Sequence, residues 1–527
     1  MMNANIVRLA YVLSLAGIAC SSGSTKTDPG VAVMMATGGV VGSGSTSASS
    51  GGSLVGATGG GIAAATGGAA TGTGGSMTGG MSGTGGDAMS TGGMSSSGNG
   101  ACTITPTAVV SSVIATVATV TFTTDLAGMD SAEIEFGLDT SYGMTATVDL
   151  MDPDYKTYLV GMKPSQTYHY RVVTNAGSTR CEGGDNTVQT GNLPNGMPVF
   201  TVTTPSPDKL NGGFIIGGFF VASGFGGGGA GPSGKPAFIL DSDGDYVWAY
   251  DAGDAGRVRM SPDAKYMWIR NTNVGGGGSL VTRVSMDGTD VQTFANGQGG
   301  FGDGHHDFAM MPNGNMIMID HAGCDTIVER STDGTSRTIM DAGEASGVTS
   351  ASGCHVNSIH YHPDDDSITF SDLDANHYVK IDRMSGTIKW IFGGTNNQFT
   401  GVLGDDATVW NREHGHHWPS SDHMLMFSNN GQNTMMGGTS WLYEVQFDET
   451  AMTATRVMSY DTGSNSLVLG DVQRLPNGNS MVTVSTAGLI QEIDSSGTIL
   501  RTYSTGAGSA FGYTQARDSL YGEPPRW

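Results

Sequence analysis

HHDFAMMPNGNMIMID, residues 305–320, holds the decisive pattern: a polar strand end, a Pro-Asn-Gly turn and an apolar strand. The unit returns as SPDAKYMWI from Ser261, HPDDDSITF from His362, WPSSDHMLMF from Trp418 and LPNGNSMVTV from Leu475, with a degenerate copy, NGGFIIGGFF, from Asn211. Gly212, Pro262, Pro312, Pro363, Pro419 and Pro476 are thus spaced 50, 50, 51, 56 and 57 residues apart. A second Gly-centred turn closes most units, as in DSDGDYVWAY from Asp241, MDGTDVQTF from Met286, TDGTSRTI from Thr332, MSGTIKWIF from Met384 and SSGTILRTY from Ser495. Proline pre-sets φ and glycine accepts the left-handed conformation, so these are hairpin turns between short strands. Continuous helical periodicity is absent. A period near 50 residues built this way marks a β-propeller, whose blades are four-stranded sheets around a channel. The expected fold is all-β, with a six-bladed β-propeller over residues 200–520.

Upstream of the repeats, residues 101–195 alternate apolar and polar side chains, in VATVTFTT from Val117 and AEIEFGLD from Ala132. This pattern, with regular turns, predicts a small antiparallel β-sandwich. KPSQTYHYRV, from Lys163, resembles the end of a fibronectin type III module, with Tyr168 or Tyr170 as the corner tyrosine and His169 structural. Residues 21–100 are almost wholly Gly, Ser, Thr, Ala and Met. Such a stretch has too little apolar surface to offset its ordering entropy, and a disordered tether is expected. Met1 to Cys20 carries Arg8 and then the apolar run LAYVLSLAGIA, too short to span a bilayer. It reads as an export signal, and its Gly-Ile-Ala-Cys end resembles a bacterial lipobox that makes Cys20 the lipid acceptor. An exported, membrane-anchored lipoprotein of the cell envelope is expected, touching membrane through that anchor only.

With Cys20 set aside, Cys102, Cys181, Cys324 and Cys354 remain, an even number that suggests two disulfides in an oxidising compartment. Cys102 and Cys181 bracket the small module, while Cys324 and Cys354 lie in adjacent repeats. The formal net charge of −24 argues against nucleic acid as a partner. The Gly-rich run SGFGGGGAGPSG from Ser223 lacks a Lys-Ser/Thr ending and is not a phosphate loop.

Eleven of the twelve histidines fall between residues 305 and 423. Just ahead of the Pro turns stand Arg257, His306 beside His305 and Asp307, His355 with Asn357, His414 beside Arg412 and Glu413, and Asp471. Innermost strands of successive blades converge on the axis, so these groups should meet at one mouth of the channel. Neutral imidazole is a nucleophile, a base and a metal ligand. Two chemistries stay open: nucleophilic attack on a sulfuryl or phosphoryl group, or divalent metal binding by His306, His355 and His414 with Asp307 or Asp372. His416 and His417 are fallback nucleophiles, of which at least one is expected to be solvated. His360, His362, His377 and His423 are read as solvated, and His321 as a residue that could border the channel. Asp364, Asp365 and Asp366 read as a β-turn.

At these residues the chain resembles the bacterial arylsulfotransferases, also called arylsulfate sulfotransferases. HVNSIHYHPDDDSITFSD from His355 is close to that family's signature, and HHDFAMMPNGN from His305, VKIDRMSGTIKWIFGG from Val379 and GDVQRLPNGN from Gly470 are similar. The stretch from NREHGHHWPSSDHMLMFSNNG at Asn411 to TSWLYEVQFDETAMTATRVMSY also matches, so the motifs occur in order across roughly 200–520. The resemblance implies an enzyme that moves a sulfuryl group from an aryl sulfate to a phenol through a sulfohistidine. It needs no nucleotide sulfate donor, and no cofactor and no metal are expected. It implies His414 as the nucleophile, 13 residues before Phe427, with His306, His355 and Asn357 as the other catalytic groups. His305, Arg412 and Arg257 are the substrate-binding candidates. One position departs: Leu373, between Asp372 and Asp374, stands where the family has an arginine that contacts the sulfuryl oxygens. That loss keeps a rival reading alive, a non-catalytic propeller that binds a ligand or partner, with a metal-dependent hydrolase or lyase as the third.

Overall fold

The computed structural model describes residues 102–220, 236–271, 279–321, 324–347, 354–401, 410–429, 438–505 and 509–522. The export signal, Cys20, the tether and the Gly-rich run from Ser223 lie outside them. The described chain is all-β, with one short α-helix, Gly343–Ser346, and a few 3-10 turns. Among these residues no helix is long and apolar enough to cross a membrane.

The first module has two antiparallel sheets. One holds Ile104–Val110, Ala118–Thr124 and Thr157–Leu159; the other is centred on Ser131–Gly137 and Thr167–Ala176. Alternate side chains, among them Val120, Phe122, Ile134, Phe136 and Val172, fill the space between. Tyr168, not Tyr170, makes the corner: its hydroxyl accepts the Lys163 N–H at 2.8 Å, five residues upstream. Cys102 is bonded to Cys181 and Cys324 to Cys354, with Cα separations of 6.2 and 5.5 Å. Such bonds suit an exported protein.

Six further sheets follow in chain order, propeller-like in arrangement. The second to fifth are four-stranded meanders, each made from consecutive strands, and their first strands are Arg257–Met260, Gly304–Met310, Val356–His362 and Glu413–Ser420. The sixth begins with Asp471–Arg474. Each of these first strands touches the next one along, so they line the centre. The Pro turns join first to second strands, as the repeat predicts. The first sheet differs. The strand Phe214–Phe220, which follows the degenerate turn at Gly212, has its inner neighbours supplied by the chain end, Ala510–Phe511 and Gln515–Arg517. No hairpin precedes Phe214, which is why that copy lacks the Pro turn. Conversely, Thr201–Thr203 pairs with Ile499–Ser504 on the sixth sheet. These two segments thus cover edges that would otherwise offer unpaired N–H and C=O groups.

The small module is fastened to the first two of these sheets. Ile114, Val117 and Val160 join a cluster with Ile216, Trp248 and Met286, and Lys163 reaches Asp241, Asp243 and Asp245 at 3.1, 2.9 and 2.7 Å. Lys163 is the cation in direct contact with three crowded carboxylates, which keep their mutual repulsion if it is removed. Lys163→Met is therefore expected to lower stability by about 1 kcal/mol, read by urea denaturation at low salt, and less as salt screens the exposed acids.

Candidate functional site

Three first strands are bulged where the candidate residues sit. Register shifts fall between Gly304 and Phe308, between Val356 and Ser358, and between Glu413 and His416. A bulge re-aims side chains. His306 and Arg412 pay for this with φ of 55° and 59°. Gly415 is required by close approach, since a Cβ there would stand 2.1 Å from Asp471 Oδ1.

The bulges bring the histidines together. His306 Nε2 faces His355 Nε2 at 2.9 Å, and the rings of His306 and His414 lie 5.6 Å apart. His305 packs at 4.7 Å from His306 and 5.1 Å from His355. Tyr513, from the closing segment, lies 6.4 Å from both His306 and His414. Its hydroxyl donates to Asn357 O at 2.7 Å, and it is 3.4 Å from His306 Nδ1. With its O–H hydrogen directed at Asn357 O, the phenol oxygen accepts from Nδ1–H, which leaves His306 Nε2 with the lone pair.

His414 has its tautomer fixed by a neighbour absent from the sequence reading. Asn429 Nδ2 donates to Ser466 O and Leu469 O, both at 2.7 Å, so its Oδ1 must be the atom 2.5 Å from His414 Nδ1. A carbonyl oxygen only accepts, so His414 carries Nδ1–H. Its Nε2 is a buried lone pair with no hydrogen-bond partner. Burial holds His414 down to about 3, and His355 likewise, while His306 lies well below the usual imidazole value for the same reason. All three are neutral at pH 7.

The acids and arginines divide differently from expectation. Arg257, expected to bind substrate, spends its guanidinium on Asp307 at 2.6 Å, Asp471 at 2.7 Å and Thr514 O at 3.3 Å. It ties three sheets together rather than facing an anion. Asp307 also accepts from Arg259, and Asp372 caps the backbone N–H of His355, Asp374 and Ala375 at 3.0, 3.1 and 3.3 Å. Neither acid is free for the metal set considered with His306, His355 and His414. Asn357 gives one N–H to Glu413 O at 2.6 Å, so at most one donor remains for substrate. Arg412 is half-buried, and its charge acts on His355, His414 and Asp374. Among the described residues no carboxylate lies within ion-pair distance of it. Leu373 is buried at 8 % exposure, with its N–H on His355 O at 2.9 Å.

Several histidines read as solvated are not. His416 and His417 are both buried, as are His362 and His377, and His360 lies on the same inner strand as Asn357. The alternation argument fails here because each sheet is covered on both faces by its neighbours. His360, His362, His416 and His417 form a second cluster, with rings 4.9 to 6.1 Å apart around His360. His360, His416 and His417 line a cavity of about 430 Å³ shared with Arg259, Gln473 and Gln515. His423 pairs with Glu444 at 3.0 Å nearer the surface. His321 does join the main cluster, 5.2 Å from His305, and both lie on Asp325. Asp366 sits at φ 51° in its turn and pairs with Arg383, in keeping with the turn reading.

A family model described as arylsulfotransferase (ASST) matches residues 218–506. No curated protein matches. Among solved structures, one from a nidogen/laminin complex is 10 % identical over 58 % of this chain and 100 % of its own, at a TM-score of 0.40. Virginiamycin B lyase from Staphylococcus aureus is 13 % identical, covering 58 % and 89 %, at 0.35. The periplasmic gluconolactonase of Pseudomonas aeruginosa is 11 % identical, covering 57 % and 99 %, at 0.34.

Proposed function

For a chain that belongs to the arylsulfotransferase family, we propose sulfuryl transfer from an aryl sulfate to a phenol, with His414 Nε2 as nucleophile. The observation that carries this is the Asn429 clamp, which forces the lone pair onto Nε2 in a buried, neutral ring. Attack forms an N–S bond and breaks the S–O(aryl) bond, and the phenolate leaves with the electron pair. The one proton held between His306 Nε2 and His355 Nε2 turns to the sulfuryl and leaving oxygens, together with the remaining donor of Asn357 and with His305 at the rim. In the second half an acceptor phenol loses its proton to an imidazole and takes the sulfuryl group back, so no nucleotide donor is needed. Arg412 stands in for the arginine lost at Leu373, since its guanidinium is unspent and its charge reaches both His355 and His414. The six sheets are taken as six blades of a transferase domain over 200–520, and residues 101–195 as a fibronectin III-like module. Export and anchoring through Cys20 belong to the same proposal.

The test is release of phenolate from a chromogenic aryl sulfate by purified protein, with and without added phenol. Phenol-dependent release is expected. Arg412→Ala should lower kcat/KM by about 30-fold to 1,000-fold, the range for losing one donor to a developing oxyanion, with Arg412→Lys partly restoring it. No release by the folded wild type with any of a panel of aryl sulfates would sink the reading in favour of a binding propeller.

A further inference from the structure

We propose that His305, His306 and His355 form a binding site for one divalent transition-metal ion of the zinc type, beside His414 and held from behind by Asp325. One nitrogen from each of the three histidines lies within 4.8 Å of those of the other two. Imidazoles bound to one tetrahedral zinc at about 2.0–2.1 Å place their nitrogens about 3.3 Å apart. The 2.9 Å separation of His306 Nε2 and His355 Nε2 needs only a small opening to reach that. Without an ion, the same contact requires the two rings to share one proton between facing nitrogens.

The surroundings are those of a supported site rather than of a chance cluster. Asp325 is fully buried, 3.0 Å from His305 Nε2 and 2.7 Å from His321 Nδ1, and it accepts the Val356 N–H at 2.7 Å. A carboxylate on one ring nitrogen leaves the other, His305 Nδ1, for the metal and raises its basicity, the usual outer-shell arrangement. Tyr513 does the equivalent for His306 by holding Nδ1. The ligand-bearing segments are also fixed covalently. Asp325 follows Cys324 and His355 follows Cys354, so the disulfide joining those cysteines locks Asp325 and His355 side by side. Three protein nitrogens leave a fourth position open, the arrangement of zinc sites that bind a ligand as well as the protein. Imidazole donors favour zinc, copper, iron or nickel over magnesium or calcium. This set differs from any that includes Asp307 or Asp372, both of which are spent. It rests on the transferase reading in one respect only: bound there, the ion would replace the proton shared by His306 and His355 as the positive charge beside His414.

The test uses the full chain, purified without a polyhistidine tag, stripped with a chelator and dialysed against zinc. Zinc is then counted by mass spectrometry and its affinity measured by competition calorimetry. One zinc per chain is expected. Asp325→Asn should weaken it about 10-fold to 100-fold, His305→Gln should abolish it, and His417→Gln, in the second cluster, should leave it unchanged. Near-ultraviolet circular dichroism checks each variant, and His355→Gln replaces His305→Gln if the latter does not fold. Trace zinc only, or equal binding by wild type and His305→Gln, overturns the site, as does loss confined to His417→Gln. Zinc bound without turnover of aryl sulfate leaves this site standing and removes the transferase reading. Turnover by a chain that binds no zinc does the reverse.

Discussion

His414→Ala is expected to cut phenol-dependent turnover of an aryl sulfate by at least about 1,000-fold, because it deletes the atom that carries the sulfuryl group between the two half-reactions. What remains is the binding and donor contribution of His306, His355 and Arg412. Asn429→Ala acts one step back. It leaves the imidazole in place but frees its tautomer, so a large share of His414 presents N–H where the lone pair should be. A fall in kcat with KM little changed is expected, smaller than the roughly 10,000-fold loss that follows when a partner locks a histidine in the wrong tautomer, because the ring is freed rather than locked. Asn429 also binds Ser466 O and Leu469 O, so a purely structural role would instead lower the melting temperature and the active fraction together. Digestion after exposure to aryl sulfate alone should leave one sulfuryl group on the peptide containing His414. Wild-type turnover in His414→Ala removes this residue from the mechanism.

Mild acid should unfold the protein. His355, His362, His414, His416 and His417 are held down to about 3 by burial, and His377 to about 4, against 6.5 when unfolded. A depressed native value means that the unfolded chain binds more protons below pH 6.5. The stability these groups contribute is therefore complete above pH 6.5 and is lost as pH falls toward their native values. At about pH 5.5 each costs on the order of 1 kcal/mol, so together they cost several, a sizeable part of the whole stability of many domains, about 5–15 kcal/mol. Asp372, pushed up to about 6 by burial, works in the opposite sense, as do Glu413, Asp320, Asp374 and Asp471, and together they offset part of this loss. Loss of near-ultraviolet dichroism between about pH 6 and 4.5 is expected, and His416→Gln should move the transition to lower pH. A urea midpoint that stays flat from pH 7 to 4.5 would contradict this account.

The repeat was readable because Pro and Gly turns obey local rules, and the meeting of His306, His355 and His414 followed from their similar offsets, 6, 8 and 5 residues ahead of those turns. What the sequence concealed was non-local. Nothing near Asn429 shows that two distant carbonyls orient its amide, and nothing near Tyr513 shows that the chain end returns to the centre. Arg257 looked like an anion donor because Asp307 and Asp471, 50 and 214 residues away, gave no sign of claiming it. His416 and His417 were misjudged by alternation, a rule for sheets with one wet face, whereas these sheets have none. Leu373 is more than a missing arginine. It is a buried residue packed between two acids, so the gap cannot be refilled there without burying a new charge.

The closing segment sets a timetable for the molecule. Gln515 pairs with Ile216, and Tyr513, two residues before it, holds Asn357 and stands beside His306 and His414. The histidines can be synthesised, and their sheets formed, well before this strand arrives. A chain still being made, or one clipped before residue 510, therefore lacks one wall of the histidine cluster however well its earlier sheets have formed. Any chemistry that needs this wall therefore waits for the last strand to be stitched in.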